Sequence, residues 1–512
     1  MLSLDFICNY DSLILKDTKK INKLAFALDM AVAGRSDESV WIRQAQEIRK
    51  QMTDSLIDSA FTYLPEGVKH DEIELIKQKL KRRRLELEAV ASQYYRLLQR
   101  TPVVAGTNQS DYFLIERQAP DRTILRIYDP ETGDCRLEQQ FSGKETKELW
   151  LYGLAGNDTF EVKGNTRKDF PIYLISGEGE NQYQLNHSRK IHVYDKDYKY
   201  DYQKIKYHKI SFTPWGIYDS DKGISLGTFF TYTMYGFKRA PFTYQHRIGY
   251  NYLKGFMYAG VFPNYDGRRR LYLNASISSP RNFENFFGFG NNTAGYKEEK
   301  KNYNRVKLRT YMFNPSFEMD LRKEEVMTFF GSLDMYKAKR TDDRYIYTVY
   351  GEDHPIFRTN YFVGLGATYR ITKQPYSWLP LLETEWTAGW KMNLKKPERN
   401  FPYAQGSLSW NVRFSDRFTW ASLMKGTVLF DNDYEFYQAA TIDLRGFRDN
   451  RFIGKQSFYQ YSDLRLDMGK LKNPFTPLKY GLFAGFDYGR VWFPGERSHS
   501  WHTSYGGGIW LT

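Results

Sequence analysis

An arginine in a glycine-containing loop and two aspartates in the strands that follow are the residues of this chain best suited to chemistry. The loop reads Leu444-Arg445-Gly446-Phe447, and the aspartates are Asp463 and Asp487. A guanidinium presents five N–H donors in a fixed planar arrangement that matches carboxylates, so one arginine can bridge two of them. The chemistry expected here is ion pairing that holds a loop in place.

Side-chain alternation predicts which way these aspartates face. In one strand Leu464 follows Asp463, and in the next Phe486 precedes Asp487. Because successive side chains of a strand point to opposite faces, both aspartates are predicted to lie on one polar face, with the apolar residues on the other. We predict that Arg445 bridges them. Taken alone, Arg445 has a simpler alternative, a rim arginine beside a turn glycine.

Residues 206–512 carry a pattern of long strands separated by turns. Fourteen strands are predicted, around 208–218, 223–236, 241–252, 255–264, 268–278, 304–320, 325–338, 360–371, 380–392, 402–414, 417–430, 456–469, 479–493 and 503–512. A tilted strand of about nine to eleven residues crosses a bilayer. In one strand Leu365 shares a face with other apolar residues and Arg370 lies on the opposite face, which is expected to be the lumen or the rim. A soluble β-sandwich also alternates, but its strands are usually shorter.

The composition agrees with a transmembrane antiparallel β-barrel. The 512 residues are 17% aromatic, with 41 Tyr and 36 Phe, yet the mean hydropathy is -0.64. Transmembrane barrels combine aromatic girdles with a polar lumen, which gives this mixture. In lipid every backbone N–H and C=O must be bonded internally, so a chain that spans with strands has to close them into a barrel. The predicted fold class is therefore mainly β, with a barrel.

Charge and cysteine content exclude other classes. The net charge of +14 suits nucleic acid or anionic lipid. The basic residues are dispersed, apart from runs at 81–84 and 268–270, and no nucleic-acid-binding motif accompanies them, so a nucleic-acid partner is not expected. Cys8 and Cys135 lie far apart and form no metal or disulfide pattern.

Residues 1–100 are predicted to be helical, as the tail of an upstream domain. Positions 73, 80, 87 and 94 keep seven-residue spacing. The run spans barely three heptads, so packing against a neighbouring domain is favoured over a short coiled coil. Thr101-Pro102 ends the helix. The first residues, Met1 to Cys8, lack the features of a signal peptide, so residue 1 is expected to be internal to a longer protein.

Residues 101–205 switch to period-two patterns and are predicted to form a small β-rich domain. It contains two Gly-rich units at 151–160 and 174–183, each with a short strand, a turn with acidic or amide residues, and an aromatic residue. They are similar to turns of the calcium-binding nonapeptide β-roll, in which glycine permits left-handed turns and aspartate supplies oxygens. This resemblance makes Asn157 and Asp158 calcium candidates. Stacked solenoid turns without a metal are the alternative.

Three motifs carry a resemblance to a known family. They are the loop 444–454, Asp463-Leu464-Arg465, and Phe486-Asp487-Tyr488-Gly489, in which Phe486 and Gly489 are the barrel-motif positions. Together they resemble the BamA/TamA superfamily (bacterial surface antigen family) of outer-membrane barrels that insert or export other proteins. The resemblance implies an arginine loop folded into the lumen against acidic partners, here Asp463 and Asp487. It also implies sixteen strands, so the chain is expected to be a C-terminally incomplete fragment of a barrel.

Two further stretches, 221–227 and 286–291, resemble a Bacteroidetes-type branch of this superfamily. In that branch the barrel follows a calcineurin-like metallophosphoesterase, whose metal motif is not found in this sequence. The resemblance implies an integral outer-membrane protein of a Gram-negative bacterium, with its N-terminal part periplasmic. Its partners would be outer-membrane lipid or lipopolysaccharide and client outer-membrane or secreted proteins. No enzyme activity or cofactor is predicted for this chain. The alternatives are an anchor for an upstream phosphoesterase and a passive channel.

Overall fold

The computed structural model describes most of the chain, and every structural statement below concerns these residues: 14–15, 18–22, 25–64, 70–118, 120–164, 169–186, 189–194, 200, 208–219, 222–235, 241–264, 267–293, 302–341, 343–374, 381–471 and 478–511. Met1 to Cys8, Asp221 and Thr512, which entered the sequence predictions, lie outside the described residues. The chain divides into two compact units, residues 1–207 with 235–238, and residues 208–234 with 239–512.

The first unit begins with helices. They are α1 (Thr18–Ile21), α2 (Phe26–Val32), α3 (Glu38–Gln51), α4 (Asp54–Ala60) and α5 (His70–Gln99), with a 3-10 turn at Phe61–Tyr63. Helix α5 ends just before Pro102, as the restriction on residues that precede proline requires. Tyr94 and Leu98 of α5 are buried against Trp150 and Ile175 of the strands that follow. The segments predicted as separate domains, 1–100 and 101–205, therefore share a core. No helix in the described part of the chain is long and apolar enough to span a membrane.

Two small sheets complete the first unit. Their strands are β1 (Val103–Ala105), β2 (Tyr112–Gln118), β3 (Arg122–Tyr128), β4 (Cys135–Ser142), β5 (Leu149–Tyr152), β6 (Thr159–Gly164), β7 (Ile172–Ile175), β8 (Gln182–Leu185) and β9 (Ile191–Tyr194). One sheet has the order β1-β5-β7-β9 and the other β4-β3-β2-β6-β8. Successive strands β2, β6 and β8 are parallel, as are β1, β5, β7 and β9. The chain therefore winds as a short solenoid around a buried apolar core.

The Gly-rich units are turns of this solenoid, and a third turn precedes them. Residues 106–111, 153–158 and 176–181 occupy equivalent places and end in Asp111, Asp158 and Asn181. The N–H of Asp111 donates to Asp158 Oδ1 at 2.9 Å, and the N–H of Asp158 donates to Asn181 Oδ1 at 2.9 Å. The side chains of Asp158 and Asn181 thus each accept a hydrogen bond from the main chain of the preceding turn. The sequence prediction missed the first turn, which shares with 153–158 its length, its initial glycine and its final Asp.

The two calcium candidates, Asn157 and Asp158, differ in their exposure to solvent. Asn157 is exposed, and its Oδ1 accepts from the N–H of Glu180 at 2.9 Å, whereas Asp158 is completely buried. In the described part of the chain, no group of three or more His, Cys, Asp or Glu side chains could hold a metal ion. The contacts of both residues link stacked turns, and calcium binding stays a prediction from sequence.

The burial of Asp158 predicts a pH-dependent stability of the solenoid. Burial raises the pKa of Asp158 to about 7, against about 3.9 in an unfolded chain. Between these values the folded state holds a proton that the unfolded state has lost, so the free energy of unfolding falls as pH rises through this window. We expect hydrogen exchange of residues 149–164, corrected for intrinsic rates, to show weaker protection at pH 7.5 than at pH 5. Asp158→Asn should remove that difference and Asp134→Asn, in an exposed turn, should keep it; equal slopes in both variants would contradict the assignment.

The second unit is a long antiparallel meander. Its path strands are β10 (Lys209–Asp219), β11 (Gly223–Met234), β12 (Tyr244–Asn251), β13 (Gly255–Pro263), β14 (Arg269–Ile277), β16 (Arg305–Arg322), β17 (Glu325–Ala338), β18 (Asn360–Lys373), β19 (Leu381–Asn393), β20 (Asn400–Arg413), β21 (Phe418–Leu429), β24 (Gln456–Leu471), β25 (Leu478–Trp492) and β26 (His502–Leu511). Each is hydrogen-bonded to its neighbour in this order, and β15 (Phe283–Asn285) pairs with β16 beside the path. The prediction of a mainly β protein with fourteen long antiparallel strands is confirmed.

The connections between these strands differ in length at the two ends of the sheet. The three longest connections, 278–304, 339–359 and 430–455, lie at one end, and the tight turns 323–324 and 414–417 lie at the other. The long connections contain β15, helix α6 (Tyr345–Tyr350), the ribbon of β22 (Ala440–Thr441) with β23 (Ile453–Gly454), and 3-10 turns at Pro355–Phe357 and Phe436–Gln438. We call the two ends the short-turn end and the long-loop end.

The two faces of the meander differ in chemistry. One face exposes large apolar side chains along most of its strands, including Leu226, Phe256, Phe313, Leu333, Leu365, Trp386, Leu464 and Phe486. The other face carries polar groups, such as the ion pair of Arg370 with Glu318 at 3.6 Å. Residues directly opposite in register share a face, so the period-two pattern continues from strand to strand. Arg370 therefore lies on the polar face.

The sheet curves around the loop that joins β21 to β24. Tyr437 of this loop stacks on Tyr336 of β17 at 4.5 Å between ring centroids. Phe452 of the same loop stacks on His502 of β26 at 3.6 Å. Six strands of the path separate β17 from β26, namely β18, β19, β20, β21, β24 and β25. One loop can contact both only if the wall bends round it, so the polar face is the inside.

Candidate functional site

The loop between β21 and β24, residues 430–455, is the candidate functional site, and we call it the arginine loop. Its first part is held by Glu435, which is buried and pairs with Arg399 at 3.0 Å. Phe436 then packs against Phe286 with ring centroids 5.0 Å apart. Phe436 also belongs to a buried cluster with Val306 of β16, Tyr336 of β17 and Phe362 of β18, so this part of the loop lies on the wall formed by these strands.

Arg445 lies between the two aspartates on the opposite wall. Its Nη1 donates to Asp463 Oδ1 at 2.6 Å, and its Nε donates to Asp487 Oδ2 at 2.6 Å. Its Nη2 donates to Asp487 Oδ1, which makes the second pairing bidentate. The Arg445 backbone N–H also donates to Asp487 Oδ2 at 3.3 Å. Four donors of one residue are thus used by two carboxylates, the arrangement for which a guanidinium is suited.

The strand register explains why these groups meet. Asp463 of β24 lies directly opposite Gly485 of β25, and Asp487 follows two residues later on the same face. A β-carbon at position 485 would lie 2.6 Å from the Cζ of Arg445. Gly485 therefore forms a flat floor for the guanidinium, with one carboxylate across the strand pair and one along the strand.

Neighbouring side chains complete the environment of the charges. Ser504 of β26 donates to Asp487 Oδ2 at 3.2 Å, and Arg465 donates to Asp463 Oδ2 at 3.1 Å. Asp487 is 0% exposed, while the side chain of Arg445 is 34% exposed. The hydrogen bonds to Asp487 raise the pKa of Arg445 above its ordinary value. Asp487 is thus a fully desolvated carboxylate whose charge depends on Arg445 for compensation.

The residues beside Arg445 shape the loop. Leu444 is buried with Tyr459 and Val491 of the wall. Gly446 has φ +81° with nothing near its missing side chain, so its left-handed backbone and not space requires glycine. Phe447 lies 5.3 Å from the Phe452 ring. The four motif residues therefore provide an apolar anchor, the charged contact, a sharp turn and a ring contact.

The barrel-motif residues of β25 have separate places. Phe486 is 50% exposed on the apolar outer face. Gly489 lies opposite Tyr459, and a β-carbon there would lie 2.7 Å from the Cβ of Tyr459. Neither residue contacts Arg445 in the described structure. Gly489 makes room for the side chain of Tyr459, which packs with Leu444. Phe486 points away from the arginine loop, on the outer face.

A second docking point was missed by the sequence reasoning. Asn291 is buried; its Nδ2 donates to the carbonyl of Val491 at 2.8 Å, and its Oδ1 accepts from the Val491 N–H at 3.1 Å. Glu496 Oε1 accepts from the Asn291 N–H at 2.6 Å. The N–H of Gly290 donates to the carbonyl of Ile453 at 2.8 Å. The stretch 286–291 thus joins the end of the arginine loop to β25. The sequence feature that could have indicated this contact is the polar Asn291 after Gly288 and Gly290.

Comparisons with known proteins give likeness of fold at low identity. No protein-family model matches the chain, and no curated protein matches it. Among solved structures, BamA from Haemophilus ducreyi lacking POTRA domains 1-3 has 11% identity and a TM-score of 0.42, covering 62% of this chain and 65% of that chain. CdiB from Escherichia coli has 11% identity and a TM-score of 0.41, covering 63% of this chain and 59% of that chain. The chain therefore spans less than two thirds of either structure, and these values assign it no function.

Proposed function

We propose that this chain is an integral outer-membrane barrel of a Gram-negative bacterium that inserts or exports other proteins, with its first unit in the periplasm. The outer face supports the membrane location. Side chains such as Leu226, Leu365 and Trp386 are 67%, 62% and 61% exposed, and soluble monomers rarely expose large contiguous apolar patches. In a bilayer the same face is in contact with acyl chains.

The observation that carries the proposal is the arginine loop held inside the curved wall. A loop that contacts both β17 and β26 obstructs the lumen, which disfavours a passive open channel. Its attachment by one guanidinium to Asp463 and Asp487 is a discrete contact that can be made or broken. We infer that docking of the loop keeps the lumen-facing wall in a form competent for assembly or export of a client.

The edge of the sheet supplies a surface for clients. Strand β10 is paired on one side, with β11, among the described residues. Unpaired N–H and C=O groups of an edge strand can pair with an incoming strand. Pro214 lies within this strand, and proline is tolerated mainly at edges because it has no N–H to donate. We propose that β10 templates client strands.

Deletion of the gene followed by quantitative analysis of outer-membrane and secreted proteins tests this function. We expect specific clients to be lost from these fractions and restored by the wild-type chain, which should migrate faster in gels when unboiled. Restoration by Arg445→Glu should be poor although that barrel is inserted. An unchanged set of surface and secreted proteins would reject the assembly function.

The two alternative functions, a passive channel and an anchor for a phosphoesterase, predict different experimental results. A large steady conductance in planar bilayers, unaffected by Arg445→Glu, would support a passive channel. A metal-dependent phosphatase activity that copurifies with the native polypeptide would support the anchor function implied by the Bacteroidetes-type branch.

A further inference from the structure

A groove rich in cations lies at the long-loop end of the outer face, between β14, β16 and β17. Its volume is about 1100 Å³, and its lining includes residues 352–354, 357 and 358 of the connection after β17. The cations that line it are Lys307, Arg309, Lys337, Lys339, Arg340 and Arg358. All six are exposed.

Four of these cations face each other across one strand pair. Arg309 of β16 lies directly opposite Lys337 of β17. Two residues further along each strand, the N–H of Lys339 donates to the carbonyl of Lys307 at 2.8 Å. Like charges directly opposite each other on a sheet are destabilising. Within the described residues none of these four side chains forms an ion pair, whereas Arg340 pairs with Glu352 at 3.2 Å. Two carboxylates, Glu352 and Asp353, also line the groove, so its six cations outnumber its anions and the four facing cations are left without an ion-pair partner among the described residues.

The position of these cations along the strands is equally informative. Their neighbours Val306 and Leu308 are buried on the inner face, so Lys307 and Arg309 point outward. On the same outer face, the next residues toward the short-turn end are Tyr311 and Phe313, which are 41% and 40% exposed. The outer face thus changes from aromatic to cationic within two residues, as expected where acyl chains meet headgroups.

We propose that this groove binds the phosphorylated headgroup of a membrane lipid in the leaflet at the long-loop end. The inference rests on the proposed membrane location. Charge-assisted hydrogen bonds from Arg309, Lys337 and their neighbours hold the phosphate oxygens. The acyl chains lie on the exposed side chains of Phe256 and Ile277, which line the same groove. This apolar border favours a lipid over free phosphate, because only a lipid has acyl chains that can contact Phe256 and Ile277.

Lipid binding to matched variants of the full chain tests the proposal. The probes are phosphatidic acid, zwitterionic phosphatidylcholine and inorganic phosphate, and the readout is bound lipid by native mass spectrometry of the detergent-solubilised protein. We expect phosphatidic acid to bind at least about tenfold more tightly than phosphatidylcholine. Arg309→Gln with Lys337→Gln should remove this preference. Lys323→Gln with Arg417→Gln, which removes two exposed cations at the short-turn end, should retain it.

The possible results distinguish a failure of the lipid-site proposal from a failure of the proposed membrane location. Equal lipid preference in wild type and in the Arg309→Gln, Lys337→Gln variant would overturn the lipid site, provided that both migrate faster unboiled. Displacement of phosphatidic acid by millimolar inorganic phosphate would also overturn it, in favour of a free-anion site. A polypeptide recovered in the soluble fraction, without a heat-dependent shift in mobility, would reject the membrane location itself.

Discussion

Reversing the charge at Arg445, in Arg445→Glu, is expected to release the arginine loop from the inner wall while leaving the strands of the wall folded. The change places a third carboxylate beside Asp463 and Asp487, and Asp487 is fully buried. Removal of one partner from a buried pair costs roughly 3 to 5 kcal/mol. The 34% exposure of the Arg445 side chain reduces that figure, because water screens part of the interaction. The expected loss is still enough to undock the loop.

Hydrogen exchange of residues 440–455 measures this release directly. We expect protection in this segment to fall strongly in Arg445→Glu, with residues of β16 and β17 unchanged. Arg445→Lys should be intermediate, because an ammonium keeps the charge without the planar bidentate geometry. Arg497→Glu, a charge reversal at an exposed position of another long connection, is the matched control. Full protection of 440–455 in Arg445→Glu would show that the ion pairs do not hold the loop.

Adding a single methyl group to the floor of the site, in Gly485→Ala, is expected to have a similar effect without any change of charge. The new β-carbon would overlap the guanidinium, since it lies 2.6 Å from the Arg445 Cζ. The arginine must move away from both carboxylates or the wall must bend. Overpacking of this kind typically costs about 1 to 3 kcal/mol, and loss of the short hydrogen bonds adds to it.

Gly506→Ala is a closely matched control for this substitution. Gly506 of β26 lies directly opposite Gly485, so it shares the inner face, and nothing lies within 4 Å of the β-carbon it would gain. We expect Gly506→Ala to keep the loop protected from hydrogen exchange and to restore the clients of the proposed function, and Gly485→Ala to impair both. If the two variants behave alike, the contact between Gly485 and Arg445 does not determine docking.

Much of the fold followed from local patterns. The period-two alternation in residues 206–512 predicted fourteen strands and the side on which Asp463, Asp487 and Arg370 lie, because parity is a property of a single strand. The solenoid turns were predicted less completely. The turn 106–111 has no glycine-rich centre, so its equivalence to 153–158 became visible only when the strands were stacked.

The sequence by itself determined which residue types stand on each face of each strand and where the chain turns. Only the tertiary structure decided which of them meet. Register placed Gly485 opposite Asp463, and the curvature of the wall brought the loop residue Arg445 to both aspartates. Register likewise set Arg309 opposite Lys337, although neither residue stands out in its own strand. The alternation of side chains between two faces is a property of each strand alone. Register and curvature depend on how all the strands pair and on which side chains the loops place inside the wall, so no local pattern encodes them.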